Sequence, residues 1–223
     1  MAIFHILSVF RNLTWSHLAA RSSDPEQCLD AHANATTTAH NPRGHILGII
    51  GLGNIGYTIA QKAFAGFGMK IHYYDVARKS RQQEEAVNAT YVDSLESLSG
   101  TSDCVLLATP FGGRKIIDAE RLAMFKQGSR FVNIARGSLV DEDALVQALK
   151  TGRIFATGLD VFEKEPAIHA ELRAMRNVTL TCHNAGGAIE TNHGFERLAM
   201  ENVEALLLTG KALTPVNAHL MKN

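Results

Sequence analysis

The sequence has 223 residues, with 22 Lys and Arg against 22 Asp and Glu, 46% hydrophobic and 20% charged residues. That is apolar material for one large domain, or one domain and part of another. Balanced charge excludes a global field that would draw nucleic acid or an anionic membrane, and no apolar run reaches the ~18 residues of a bilayer span. The three cysteines (Cys28, Cys104, Cys182) form no CxxC pair and the ten histidines no HExxH or zinc-type spacing. Neither a disulfide framework nor a metal site is therefore expected, and the cysteine usage suits a reducing compartment, the cytoplasm.

At the N-terminus, Ala2 to Phe10 is apolar enough for the core of a signal peptide, but no positive charge precedes it and no small-residue cleavage site follows. Arg11 and Arg21, with no acid before Asp24, give a mitochondrial-presequence look. Against both stands a helical stripe of Ile3, Ile6, Leu7, Phe10, Leu13 and Leu18, which reads as one buried or interfacial helix over 2–20. Ser22 to Gly44 is polar, with Pro25 and Pro42, and reads as a connector with room for a short helical turn.

From His45 onward, strand and helix patterns alternate. The runs predict strands at 45–50, 69–74, 103–109, 129–135, 154–158 and 177–182. Helices are predicted at 54–67, 80–87, 94–99, 118–126, 141–151 and 188–209. The strands are short continuous apolar runs, as in Cys104-Val105-Leu106-Leu107-Ala108, which is expected when helices cover both faces of a sheet. Such alternation implies an α/β, doubly wound parallel sheet.

The first strand runs straight into Gly51-Leu52-Gly53-Asn54-Ile55-Gly56, with a helix after it, the context a dinucleotide fingerprint requires. Gly51 permits the tight turn, Gly53 lets backbone approach a pyrophosphate, and Gly56 lets helix pack on strand. The N–H groups of Asn54 and Ile55 then face the phosphates at the helix N-terminus. Asp75 ends the next strand, nineteen residues after Gly56, where an acid accepts hydrogen bonds from ribose hydroxyls and favours NAD. Arg78, Lys79 and Arg81 follow closely and leave NADP open as an alternative. In a doubly wound sheet, ligands sit beyond the carboxyl ends of the strands. There the sequence places Asp75, Thr109-Pro110, Ala135-Arg136-Gly137, Asp160 and His183, with Glu165 in the loop after Asp160. Each also has a plain reading as a turn or edge residue; their gathering on one rim argues for a site. Cys182 next to His183 reads as no nucleophile–base pair, because adjacent strand residues point to opposite faces.

Four stretches in order, the glycine loop, Val132-Asn133-Ile134-Ala135-Arg136-Gly137, Gly158-Leu159-Asp160-Val161-Phe162-Glu163-Lys164-Glu165-Pro166 and Cys182-His183-Asn184-Ala185-Gly186, resemble the successive signatures of the D-isomer-specific 2-hydroxyacid dehydrogenases. The nearest likeness within that family is to fungal-type enzymes acting on glyoxylate, hydroxypyruvate or D-mandelate. The resemblance implies a Rossmann NAD-binding domain over 44–187 and hydride transfer between a nicotinamide and a 2-oxoacid or D-2-hydroxyacid. It implies that Arg136 binds the substrate carboxylate and carbonyl, that His183 is the acid/base and that Glu165 is its partner. Asp160 would hold the nicotinamide end and Asp75 the adenosine ribose, with Thr109, Pro110 and Ala135 along the cofactor.

The chain departs from the family pattern at Cys182, where proline usually precedes the histidine, and in a short segment after Pro110. By the same resemblance, 1–43 is an interdomain helix and connector and 188–223 a C-terminal helix and tail, left from a substrate domain mostly missing upstream. Exposed apolar stripes on 2–20 and 188–209 would then promote a homodimer. Besides an enzyme, the sequence allows an NAD-dependent sensor or scaffold, or a fragment that binds NAD without turnover. A Rossmann methyltransferase would leave Arg136, Glu165 and His183 without a role.

Overall fold

The structure, a computed structural model, describes residues 1–216. It divides into two compact units, Met1–Ala185 and the segment from Gly186 onward. The first is built from α1 (Ala2–Arg11), α2 (Leu13–Ala20), α3 (Pro25–Asn34), β1 (Ile46–Ile50), α4 (Asn54–Phe67), β2 (Lys70–Tyr74), α5 (Arg81–Ala86), β3 (Ala89–Tyr91), α6 (Leu95–Thr101), β4 (Cys104–Leu107), α7 (Ala119–Met124), β5 (Ser129–Asn133), α8 (Glu142–Lys150), β6 (Ile154–Leu159), α9 (Ala170–Ala174) and β7 (Val178–Leu180). The second contains α10 (Ile189–Thr209).

All seven strands are parallel, in the order β3-β2-β1-β4-β5-β6-β7. The chain starts at β1, winds outward to β3, then returns to β4 beside β1 and winds the other way. Alternate strand residues feed two cores. Leu47, Ile49, Cys104, Leu106 and Val132 pack with Ile6, Val9 and Phe10 of α1 and Ile59, Ala60 and Ala63 of α4. Ile50, Val105, Leu107 and Phe131 pack on the other face with Leu98 of α6, Leu122 of α7 and Leu145 and Val146 of α8. The topological reversal between β1 and β4 opens a crevice at their carboxyl ends, where such sheets bind ligands.

The N-terminal segment departs from the single helix expected over 2–20. Asn12 takes a left-handed conformation, φ 52°, and splits it into α1 and α2. Asn12 accommodates this conformation better than most residues, and its side-chain amide donates to the Ala35 carbonyl at 2.8 Å. Ile6 and Phe10 are buried under the sheet, whereas Leu13 and Leu18 are exposed. The apolar stripe therefore ends at the break, and α1 is a covered element of the nucleotide-domain unit, contrary to the uncovered stripe expected there. The polar connector holds a full helix, α3: Asp24 caps it by accepting the Glu26 N–H at 3.0 Å, with Pro25 in the first turn. Two short elements, β3 and α9, were not predicted, and β7 ends at Leu180, before the histidine that the expected strand reached toward.

In the second unit, α10 has no buried residue among its described positions, and Phe195, Met200, Leu207 and Leu208 are exposed on it.

Candidate active site

The turn from β1 to α4 has the geometry its glycines suggest. Gly51 sits at φ 93°, and a Cβ there would lie 2.9 Å from the Ala108 carbonyl oxygen. A Cβ on Gly56 would come within 2.2 Å of the Gly51 oxygen, so helix and turn touch backbone to backbone. A Cβ on Gly53 would meet nothing within 4 Å. Gly53 therefore has open space at its Cβ position, and it borders the crevice. The helix begins at Asn54 with no side-chain cap, so its first-turn amides have no cap side chain as partner.

Asp75 follows β2 directly. Its Oδ2 accepts the Leu52 N–H at 2.9 Å, pinning the carboxylate to the glycine turn, and also pairs with Lys79 Nζ at 3.0 Å. Gly51, Gly53, Asp75, Thr109 and Pro110 line one cavity of about 580 Å³, together with Arg114 and Lys115, which the sequence reading did not select. The lining fits a dinucleotide in kind: the glycine turn and the acid after β2 share one cavity, while Asn54 and Ile55 are not part of its lining. Beyond Asp75 the loop is fixed by a buried phenol. Tyr73 Oη donates to Glu84 Oε1 at 2.6 Å and accepts the Lys79 N–H at 2.9 Å, while Arg78 holds Glu84 with two bonds of 2.9 Å. Burial, then the Glu84 contact, pushes the Tyr73 phenol up to about 12. Hydrogen bonds from Arg78 and Tyr73 hold Glu84 below the usual carboxylate range. Arg81 pairs with Glu85 at 2.7 Å, so all three basic residues after Asp75 already have acidic partners.

The second half of the rim is built from the loops after β5, β6 and β7. Asn133, the last residue of β5 and buried, donates to the Arg136 carbonyl at 2.9 Å and accepts the Ala135 N–H at 3.0 Å. This brace turns the chain so that Arg136 is exposed, with Nη1 bonded to the Ala135 carbonyl at 2.7 Å. Ala135 itself is buried and does not line the cavity. A Cβ on Gly137 would fall 1.8 Å from the Phe162 carbonyl carbon, so the Arg136 loop lies directly against the loop that carries Glu165.

Glu165 Oε1 accepts the Phe162 N–H at 2.9 Å, and Oε2 meets His183 Nδ1 at 2.7 Å. The His183 hydrogen bond holds Glu165 below the ordinary carboxylate value. His183 is not on a strand: it is a left-handed residue, φ 51°, in the loop after β7. The strand argument about Cys182 thus falls away; Cys182 is exposed on that same loop. Cys104 is a core thiol of β4, pushed up to about 12 by burial.

Asp160 has no exposed surface. Its Oδ1 accepts the Thr181 hydroxyl at 2.5 Å and the Asn184 N–H at 3.1 Å, its Oδ2 accepts the Ala185 N–H at 2.9 Å, and its carbonyl accepts the His183 N–H at 2.7 Å. The loop bearing His183 is wrapped around this carboxylate, which faces the loop and not the cavity. Asn133 and Thr181 stand beside predicted site residues without having been chosen. Their one sequence signal was a polar residue at the end of an apolar run.

A family model described as the D-isomer specific 2-hydroxyacid dehydrogenase, NAD binding domain, matches residues 3–185. The glyoxylate reductase of Pyrococcus horikoshii is 41% identical over 181 residues, covering 80% of this chain and 53% of its own length. The glyoxylate/hydroxypyruvate reductase B of Escherichia coli is 39% identical over 177 residues, covering 78% of this chain and 54% of its own. The holo structure of D-mandelate dehydrogenase from Rhodotorula graminis superposes with a TM-score of 0.94 at 50% identity, over 96% of this chain and 63% of that one. The chain thus spans about half the length of these curated relatives. With the fold, the glycine turn and the match over residues 3–185 in agreement, the chain belongs to the D-isomer-specific 2-hydroxyacid dehydrogenase family and carries its NAD-binding domain.

Proposed function

We propose that this chain binds NAD in the crevice between β1 and β4 and serves hydride transfer between the nicotinamide and a 2-oxoacid or D-2-hydroxyacid of the glyoxylate, hydroxypyruvate or phenylglyoxylate type. The names of the relatives in P. horikoshii, E. coli and R. graminis support that substrate class. The observation that carries the chemistry is the 2.7 Å contact between His183 Nδ1 and Glu165 Oε2, on the strand rim and beside the Arg136 loop.

Bound NAD would supply the hydride acceptor or donor; proton and charge fall to the protein. Glu165, held ionised, only accepts hydrogen bonds, so His183 Nδ1 carries the proton and Nε2 is left to the substrate. In oxidation the neutral Nε2 takes the hydroxyl proton; in reduction the protonated ring returns one to the developing alkoxide. The Arg136 guanidinium has donors beyond the one used on Ala135, enough to clamp a carboxylate and draw charge onto the reacting oxygen. Asp160 acts on this site by holding the His183 loop. The Leu52 amide and Lys79 hold one oxygen of Asp75, which leaves Oδ1 for a ribose hydroxyl. With Arg78 and Arg81 engaged elsewhere, this favours NAD over NADP.

The alternative reading is NAD binding without turnover, as a sensor or a fragment. Following NADH oxidation with glyoxylate, hydroxypyruvate and phenylglyoxylate decides between the two. Turnover that His183→Ala lowers by at least ~10²-fold supports the enzyme. NADH binding without turnover supports the second reading, and turnover insensitive to His183→Ala removes the assigned acid/base. We also propose association with a second copy, because α10 exposes so much apolar surface; a monomer by light scattering at micromolar concentration would contradict it. Free Cys28 and Cys182 on the surface support a reducing, cytoplasmic setting.

A further inference from the structure

A polar chain, buried at both ends and partly buried at its middle member, runs from the N-terminal helix to the loop that carries His183. His5 of α1 has no exposed surface, and its Nε2 lies 2.9 Å from Thr181 Oγ1, which in turn lies 2.5 Å from Asp160 Oδ1. We propose that His5 and Thr181 are positioning residues for His183, acting through Asp160; this rests on the reading of His183 as the acid/base.

The hydrogen positions follow from the groups. A carboxylate accepts, so the single Thr181 proton goes to Asp160, and Thr181 must accept from His5. His5 is therefore the neutral ring with its hydrogen on Nε2. Its Nδ1 has no partner and is buried, which suits a lone pair but not a second N–H. Burial agrees, pushing His5 down to about 4. Space for the ring is made on β6: a Cβ on Gly158 would lie 2.8 Å from His5 Cβ and 2.9 Å from its Nδ1. The glycine of Gly158-Leu159-Asp160 is thus occupied by the histidine that serves the acid two residues on.

The consequence is positional. His183 sits at φ 51°, a left-handed conformation uncommon outside glycine although histidine takes it more readily than most residues. Around Asp160 the loop contributes backbone amides from 184 and 185, and one side chain, Thr181. That one side chain is also the link to α1. Removing it, or its donor on α1, leaves the start of the loop to its backbone bonds, Thr181 N–H to Leu159 and His183 N–H to Asp160, and is expected to weaken the meeting of His183 with Glu165, which sits on a different loop.

The test is a ¹³C titration of the Glu165 carboxyl in the full chain, with Thr181→Val, Thr181→Ser, His5→Leu and His5→Gln, and thermal unfolding recorded for each. In the parent protein Glu165 is expected to titrate below the ordinary carboxylate value, held there by the His183 hydrogen bond. Thr181→Val and His5→Leu are expected to return it toward that value. Thr181→Ser keeps the hydroxyl and His5→Gln keeps an N–H donor, and both should leave it low. Should Thr181→Val not fold, the His5 pair decides alone. Glu165 staying low in both Thr181→Val and His5→Leu would overturn the proposal, as would failure of both conservative variants to restore it. The titration needs neither cofactor nor substrate. Failure of the proposed function would show as absent turnover with this pattern intact, whereas failure of the positioning role shows in the titration.

Discussion

Gly137→Ala is expected to be among the most damaging single-methyl changes in the protein. The added Cβ would lie 1.8 Å from the Phe162 carbonyl carbon, 1.9 Å from its oxygen and 2.5 Å from the Glu163 nitrogen. The three nearest atoms are all backbone, so no rotamer change relieves these overlaps, and the two loops must separate by roughly 2 Å to reach ordinary contact. Inserting a methyl group into packed structure costs about 1–3 kcal/mol, and with only backbone to yield the expected value is about 3 kcal/mol. At ~2–4 °C per kcal/mol for a unit of this size, the melting temperature should fall by roughly 6–12 °C. The effect reaches the site, because the Phe162 N–H orients Glu165 and the Glu163 N–H donates to Glu142 at 2.9 Å. Thermal unfolding by circular dichroism reads the loss. A fall below about 1 °C would mean that the two loops are not in contact, and the placement of Arg136 beside Glu165 would fail with it.

Asp75→Ala should shrink the preference for NADH over NADPH by at least about tenfold, the scale of a charged hydrogen bond; an unchanged ratio in fluorescence titrations would remove Asp75 from the ribose. Asp160→Asn turns an amide toward a backbone donor that only an acceptor can satisfy. Leaving one buried donor unmet costs ~1–3 kcal/mol, and urea denaturation within 0.5 kcal/mol of the parent, taken as roughly the noise of such measurements, would contradict the wrapping of the loop around Asp160. His5, neutral in the fold down to about pH 4, takes up a proton near 6.5 once unfolded. Between those values the unfolded chain binds the extra proton, so this contribution is complete above pH 6.5 and is lost as pH falls toward 4. The loss amounts to about 3 kcal/mol. His5→Gln should flatten that slope, and an identical pH profile would show that His5 titrates normally.

Much of the site was legible because its signals are local. A glycine turn between strand and helix needs no partner elsewhere to be recognised, and Asp75, Arg136 and His183 stand out as polar residues just past apolar runs, with Glu165 in the loop after Asp160. What escaped depends on distance or brevity. Three residues of β3 carry no periodicity, and the break at Asn12 hides inside an uninterrupted apolar stripe. The helix after Asp24-Pro25 has its capping signal but a polar body, so it read as a connector. The role of His5 rests on a contact with Thr181, 176 residues away, and its spacing on α1 is that of an ordinary core residue. Asp160 was noticed, yet whether its carboxylate faces a cavity or its own loop is a matter of tertiary placement.

The account turns on a cofactor entering over Gly53, and NADH titration of the parent chain beside Gly53→Ala tests this most directly. A Cβ at this position meets no protein atom within 4 Å, so the variant should unfold within about 1 °C of the parent, as surface changes that touch nothing do. The account predicts saturable NADH binding by the parent and an affinity at least about tenfold weaker in Gly53→Ala, since the methyl group stands where the pyrophosphate must approach. No binding by the parent, or equal binding by both, would contradict it.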